Sequence, residues 1–148
     1  INALSANINI LDEAACPIVL TPHEGEFKRL GGDLAKGREE GALDFVSRHS
    51  CTLVLKGSGT VIAFDDGSLA LNTTGNPGMA KGGSGDVLAG IIASLLAQGL
   101  PPMLAAAAGC AIHSEAGARA AKRLSKRAML PSDIISELPG IFLEAERQ

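Results

Sequence analysis

Residues 72–90, NTTGNPGMAKGGSGDVLAG, hold six glycines and run directly into the apolar stretch DVLAGIIASLLAQGL. A glycine-rich turn feeding an apolar helix narrows the possible folds, because such a helix must bury itself against another layer of structure. Upstream, CTLVLKGSGTVIAFDDGSLALN reads as three strands over residues 51–56, 60–64 and 68–72, with Asp66-Gly67 as a hairpin turn. Before these, residues 17–20 predict a buried strand, followed by a turn at Thr21-Pro22 and a short helix through Leu30. The opening INALSANINILDEA predicts a helix, and KGREEGALDFVSRHS an amphipathic one. Beyond the glycine stretch, the apolar helix, expected to be buried on nearly every side, ends near Gly99. An Ala- and Gly-rich helix with proline in its first turn follows. A last helix starts near Ser132, with a break at Pro139-Gly140. This order predicts an α/β fold with helices covering a sheet.

The chain's 148 residues suffice for one domain with a core. A hydrophobic content of 46% and a mean hydropathy of +0.22 describe a globular protein. No apolar run reaches the roughly 18 residues of a membrane helix, and no signal peptide is recognisable. A net charge of −3 offers no broad basic surface for nucleic acid. Cys16, Cys51 and Cys110 lack metal-ligand spacing and read as buried small hydrophobes in a reducing cytoplasm. His49 reads as exposed and His113 as a packed helix residue. Met79 and Met103 read as packing residues, and the basic run Arg119, Lys122, Arg123, Lys126 and Arg127 as a solvated helix face.

Familiar glycine fingerprints fail here. Lys81 is followed by Gly82, which breaks the P-loop pattern. GSGTVI at Gly57 lacks a third glycine and leads into a strand, and GSGDVL at Gly83 has Leu88 in that position, so a dinucleotide fold is disfavoured. What remains is mechanical. Gly82, Gly83 and Gly85 let the backbone turn and approach a ligand, and the amides of Ser84 to Leu88 then lie in the first turn of a helix, facing phosphate oxygens. Asp86, in that turn, is placed to take the proton of an attacking hydroxyl; the plainer alternative is a helix N-cap.

The string NPGMAKGGSGDVLAGIIASLLAQG closely resembles the glycine loop of the NAD(P)H-hydrate dehydratases, in the ribokinase-like superfamily. LTPHEGEFKRL, LVLKGSGTVIA and LPSDIISELP match the same family in order. The resemblance implies a three-layer α-β-α fold, of which residues 1–148 form the C-terminal portion of one domain. A strand ending in an Asp-Ala-Asp-type motif, and further strands, are expected before Ile1. It also implies site roles. Asp86 is the catalytic base and touches the substrate, as does His23, with Glu26 closing its motif. Lys56, Gly57, Ser58, Gly59, Thr60 and Gly85 bind the nucleotide, while Asn76, Gly83 and Ser84 shape the phosphate end.

The implied reaction is repair of hydrated NADH or NADPH in the cytoplasm. ADP or ATP phosphorylates the ring hydroxyl, Mg²⁺ accompanies the nucleotide without a carboxylate cage in the protein, and phosphate then leaves. A fused or separate NAD(P)H-hydrate epimerase and a homo-oligomer through the Ala-rich helices are the implied partners, with no nucleic acid and no membrane. Three rivals are a superfamily kinase of a small alcohol, a nucleotide-binding fragment inactive without its other half, and a nicotinamide-dependent oxidoreductase.

Overall fold

The computed structural model describes residues 1–147. They form two compact units: Ile1–Thr73 with Pro101–Ala107, and Thr74–Leu100 with the chain from Ala108 onward.

The first unit carries the sheet. β1 (Val19–Leu20), β2 (Thr52–Leu55), β3 (Thr60–Ala63) and β4 (Leu69–Asn72) lie in the order β1-β2-β3-β4. β1 runs parallel to β2, and the rest is an antiparallel meander with Val54 opposite Ile62 and Ile62 opposite Ala70. The meander turns at Asp66-Gly67, where Gly67 has φ 82° and the Asp66 carboxylate accepts from the Ser68 amide at 2.9 Å. Two helices accompany the sheet, α1 (Glu24–Arg29) and α2 (Arg38–Arg48). Ala42, Phe45 and Val46 fall three and four residues apart, so α2 buries one stripe against β2 and β3. Phe45 meets Phe27 of α1 at 5.3 Å between ring centres, within a core that includes Leu53, Leu55 and Val61.

The second unit is helical: α3 (Ser84–Ala97), α4 (Pro102–Leu124, whose first residues belong to the first unit) and α5 (Pro131–Ala145). Its core gathers Ala116, Ala120, Met129 and Ile134, with Met79, Val87 and Leu138 against them. Small residues let the helices close up: a Cβ on Gly109 would sit 2.5 Å from Ile92 Cγ1.

Several expectations need correction. The opening segment is two 3-10 turns, Leu4–Ala6 and Ile8–Leu11, broken at Asn7 in a non-helical conformation. Asparagine is a weak helix former, and three of them, Asn2, Asn7 and Asn9, in this segment disfavour a continuous helix. β1 is shorter than expected because Pro17 has no N–H to give. α3 buries one face, Leu88, Ile91, Ile92 and Leu95, while Ala93 and Ala97 are exposed. α5 passes through Pro139 without a break; the unpaired Ile135 carbonyl falls at a residue half exposed to water (52%), which lowers its cost. His49 is buried, its ring tilted 50° to that of Phe45 with centres 4.8 Å apart, and Cys16 is exposed. Nor is the basic run simply solvated. Arg119 binds Glu115 and both oxygens of Glu144, and Arg123 binds Glu137, so two of its arginines tie α4 to α5.

Candidate functional site

In the first unit the chain leaves β1 through Thr21-Pro22 and caps α1 with His23. Its Nδ1 accepts from the Gly25 and Glu26 amides at 3.0 and 3.2 Å, while Glu26 Oε2 accepts from the His23 amide at 2.8 Å. This reciprocal box makes His23 a cap, and it also fixes the ring. With both amides donating to Nδ1, the neutral imidazole carries its proton on Nε2, which lies 3.6 Å from Glu26 Oε2 on a side chain 56% exposed. Capping thus occupies Nδ1 and leaves Nε2 beside the Glu26 carboxylate.

His23 bridges to Lys56 across the parallel edge, and the Lys56 amide donates to the Pro22 carbonyl at 2.9 Å. Lys56 Nζ lies 3.8 Å from Glu26 Oε2. Burial works to raise the Glu26 carboxyl, but the His23 amide and the Lys56 charge prevail and hold it below the ordinary carboxylate range. His23, Glu26 and Lys56 thus form one polar cluster at the end of β2. The loop Gly57-Ser58-Gly59 follows, with Gly59 at φ 76°, and Thr60 opens β3. Among the described residues, the amides of Gly57, Ser58 and Gly59 have no acceptor in the protein, so three donors stand open to solvent or to an anion.

In the second unit the glycine stretch is anchored rather than loose. Asn76 Nδ2 donates to the Gly117 carbonyl at 3.0 Å, and its Oδ1 accepts from the Gly78 amide at 2.9 Å. The Lys81 ammonium donates to the carbonyls of Arg127 (2.8 Å) and Met129 (2.5 Å). Ser84 Oγ meets His113 Nε2 at 3.3 Å, both buried. Burial lowers the His113 pKa, against an opposing hydrogen bond with Ser84. Sequence reasoning set His113 and Lys81 aside; a lone histidine on a helix gives no local sign that it will reach the loop.

Gly83, at φ 94°, is the residue before α3, so Asp86 is the third residue of the helix and not its N-cap. The expected run of free amides is also shorter. The Ser84 amide donates to the Lys81 carbonyl, and those of Asp86 and Val87 to the Gly83 carbonyl. The Gly85 amide alone among these four lacks a protein acceptor, and Asp86 beside it is exposed. From Asp86 an apolar groove of about 410 Å³ runs between α3 and α5, lined by Val87, Ile91, Leu138 and Phe142. Burial pushes the thiols of Cys51 and Cys110 up to about 12, which removes them as nucleophiles. Among the described residues, no three of His, Cys, Asp and Glu gather as a metal site, and no helix is long and apolar enough to cross a membrane.

The sequence matches the family of NAD(P)H-hydrate dehydratases over residues 1–140. It is 44% identical over its whole length to part of the bifunctional NAD(P)H-hydrate repair enzyme Nnr of Moorella thermoacetica, covering 29% of that protein. It is 37% identical to the ADP-dependent (S)-NAD(P)H-hydrate dehydratase of Bacillus subtilis, with 88% of this chain matched to 49% of that one. The crystal structure of the Bacillus subtilis ADP/ATP-dependent NAD(P)H-hydrate dehydratase, co-crystallised with ATP/Mg²⁺ and soaked with CoA, superimposes with a TM-score of 0.81. That match has 36% identity and covers 86% of this chain and 49% of that one. A ribokinase-like superfamily protein of Enterococcus faecalis matches with a TM-score of 0.73 at 38% identity, over 85% of this chain and 44% of that one. The chain therefore belongs to the NAD(P)H-hydrate dehydratase family, with the ribokinase-like α/β fold, and spans half or less of these relatives' length.

Proposed function

We propose that the chain acts in nucleotide-dependent repair of hydrated NADH and NADPH, in the cytoplasm. The observation that carries this reading is Asp86: an exposed carboxylate next to a free Gly85 amide, on a loop that side chains pin in place. A base must hold its position while it takes a proton, and a donor beside it suits the phosphoryl oxygens that gain charge.

Asp86 takes the proton of the ring hydroxyl as that oxygen attacks the terminal phosphorus of ADP or ATP, and the O–P bond to the leaving nucleotide breaks. The ring nitrogen lone pair then expels phosphate, and loss of a proton from the adjacent carbon restores the dihydronicotinamide. Lys56 and the free amides of Gly57 to Gly59 take the nucleotide; His23, on an exposed side chain, takes part of the hydrate. Asn76, Gly83 and Ser84 hold the Gly85 amide in place. The names of the Bacillus subtilis proteins support ADP or ATP as donor. The Bacillus subtilis dehydratase co-crystallised with ATP/Mg²⁺ supports Mg²⁺ as the ion that accompanies the nucleotide. The Moorella relative's bifunctional name supports an epimerase partner, fused or separate, and the Ala-rich helices offer a face for a homo-oligomer.

The test is an assay of the full-length native protein with hydrated NADH and ADP or ATP, following the return of reduced-ring absorbance. Nucleotide-dependent recovery is expected. A phosphorylated alcohol that never yields NADH would instead identify a kinase of the superfamily. Replacing Asp86 by Asn should lower turnover by about 10²–10⁴-fold and leave nucleotide affinity in place; near-full activity would remove Asp86 from the base role.

A further inference from the structure

Arg38 was no part of any motif, yet it holds more of the Lys56–Thr60 loop than any other side chain described. It stands at the first residue of α2. Its Nη1 donates to the Ser58 carbonyl at 3.1 Å and to the Gly59 carbonyl, and its Nη2 donates to the Leu55 carbonyl at 2.8 Å. The side chain is 21% exposed, and Nε lies 3.2 Å from Glu24 Oε1 on the neighbouring helix. Contact with the loop is close enough that a Cβ on Gly57 would lie 2.5 Å from Arg38 Nη2. That contact is a reason for glycine at position 57, where the backbone needs no positive φ.

The orientation matters more than the count. In a trans peptide the C=O and the following N–H point in opposite directions. Turning the Ser58 carbonyl onto the guanidinium therefore turns the Gly59 amide away from it. Gly59, at φ 76°, brings the next carbonyl back to the same guanidinium. The result is a loop with the carbonyls of Leu55, Ser58 and Gly59 gathered on one cation, the Gly59 amide turned away from it, and the amides of Gly57 and Ser58 also unclaimed. Carbonyl oxygens left facing phosphate would repel it, so their removal by a planar five-donor fork favours an anion on the other side.

Resting on the nucleotide reading above, we propose that Arg38 is a positioning residue for phosphate binding: it folds the carbonyls of Leu55, Ser58 and Gly59 inward so that the loop amides meet the phosphates of a nucleoside di- or triphosphate. It touches neither nucleotide nor hydrate.

The experiment uses the full-length native protein with Arg38→Ala and Arg38→Lys, measuring ADP and ATP affinity by calorimetry, KM for nucleotide and for hydrated NADH, and thermal unfolding. For Arg38→Ala, nucleotide KM and Kd should rise about tenfold or more, while KM for the hydrate stays close to wild type. Arg38→Lys should fold and keep most of that loss, because one nitrogen on a shorter side chain does not reproduce the two-nitrogen fork that spans the Leu55, Ser58 and Gly59 carbonyls. Three outcomes overturn the proposal: full recovery of nucleotide binding by lysine, an equal rise in both KM values, or a lowered melting temperature with unchanged nucleotide affinity. A wild-type protein that binds neither ADP nor ATP overturns the nucleotide reading itself, a result distinct from these.

Discussion

The Lys56–Thr60 loop and the stretch from Thr74 to Gly85 are both glycine-rich, and they are held in different ways. The first is short, lies between two strands, and is gripped from one side by a single guanidinium. The second is longer and is pinned at several points, by Asn76 on Gly117, Lys81 on Arg127 and Met129, and Ser84 on His113. Its glycines also do unlike things. Gly78 has no room for a side chain, since a Cβ would lie 2.5 Å from the Lys126 carbonyl oxygen and 2.6 Å from Met129 Sδ. Gly83 needs φ 94°, whereas Gly82 has open space where a Cβ would be and no positive φ. Glycine content therefore measures neither flexibility nor function. A glycine that neither packing nor backbone geometry requires is the one to suspect of making way for a ligand.

The largest effect separating these glycines is expected at Gly78. Gly78→Ala forces a methyl against a backbone oxygen that cannot swing aside, and should cost about 1–3 kcal/mol in denaturant unfolding. A loss within noise would mean the stretch is looser than its contacts show.

His113 should add a pH dependence to the anchored loop. Its folded pKa lies below the ordinary 6.5, mainly through burial, so near and below that value the unfolded chain binds the proton more readily. Stability then falls as pH drops from about 6.5, and His113→Gln should flatten that part of the curve. The Glu26 carboxyl, held below its ordinary 4.5, gives stability that is lost at lower pH still, as pH falls through its folded value. An unchanged slope near pH 6.5 in the glutamine variant would remove His113 from the effect.

The smallest change in stability belongs to Gly82→Ala, expected within about 0.5 kcal/mol of wild type. Any fall in turnover of the full-length protein would then report on ligand approach, and unchanged kinetics would leave Gly82 without a role.

Much of this was legible in the chain. The meander showed in strand-length apolar runs around Asp66-Gly67, α2 in the spacing of Ala42, Phe45 and Val46, and Asp86 in the glycine-to-helix junction. Less was legible where a partner lies far away in sequence. Arg38 sits in a charged segment that reads as helix surface, and its carbonyl acceptors come 17 to 21 residues later. His49 at a helix end looks exposed until Phe45 closes over it.

By itself, the sequence determined most of the element types and the family, and nominated residues for the chemistry, because periodicity, turn residues and motif spacing are local properties. Only the tertiary structure decided which amides stay unclaimed, that Lys56 comes to Glu26, and that Arg38 gathers the carbonyls of Leu55, Ser58 and Gly59. Those are matters of where hydrogen-bonding groups point, and direction is set by residues that meet only once the chain has folded.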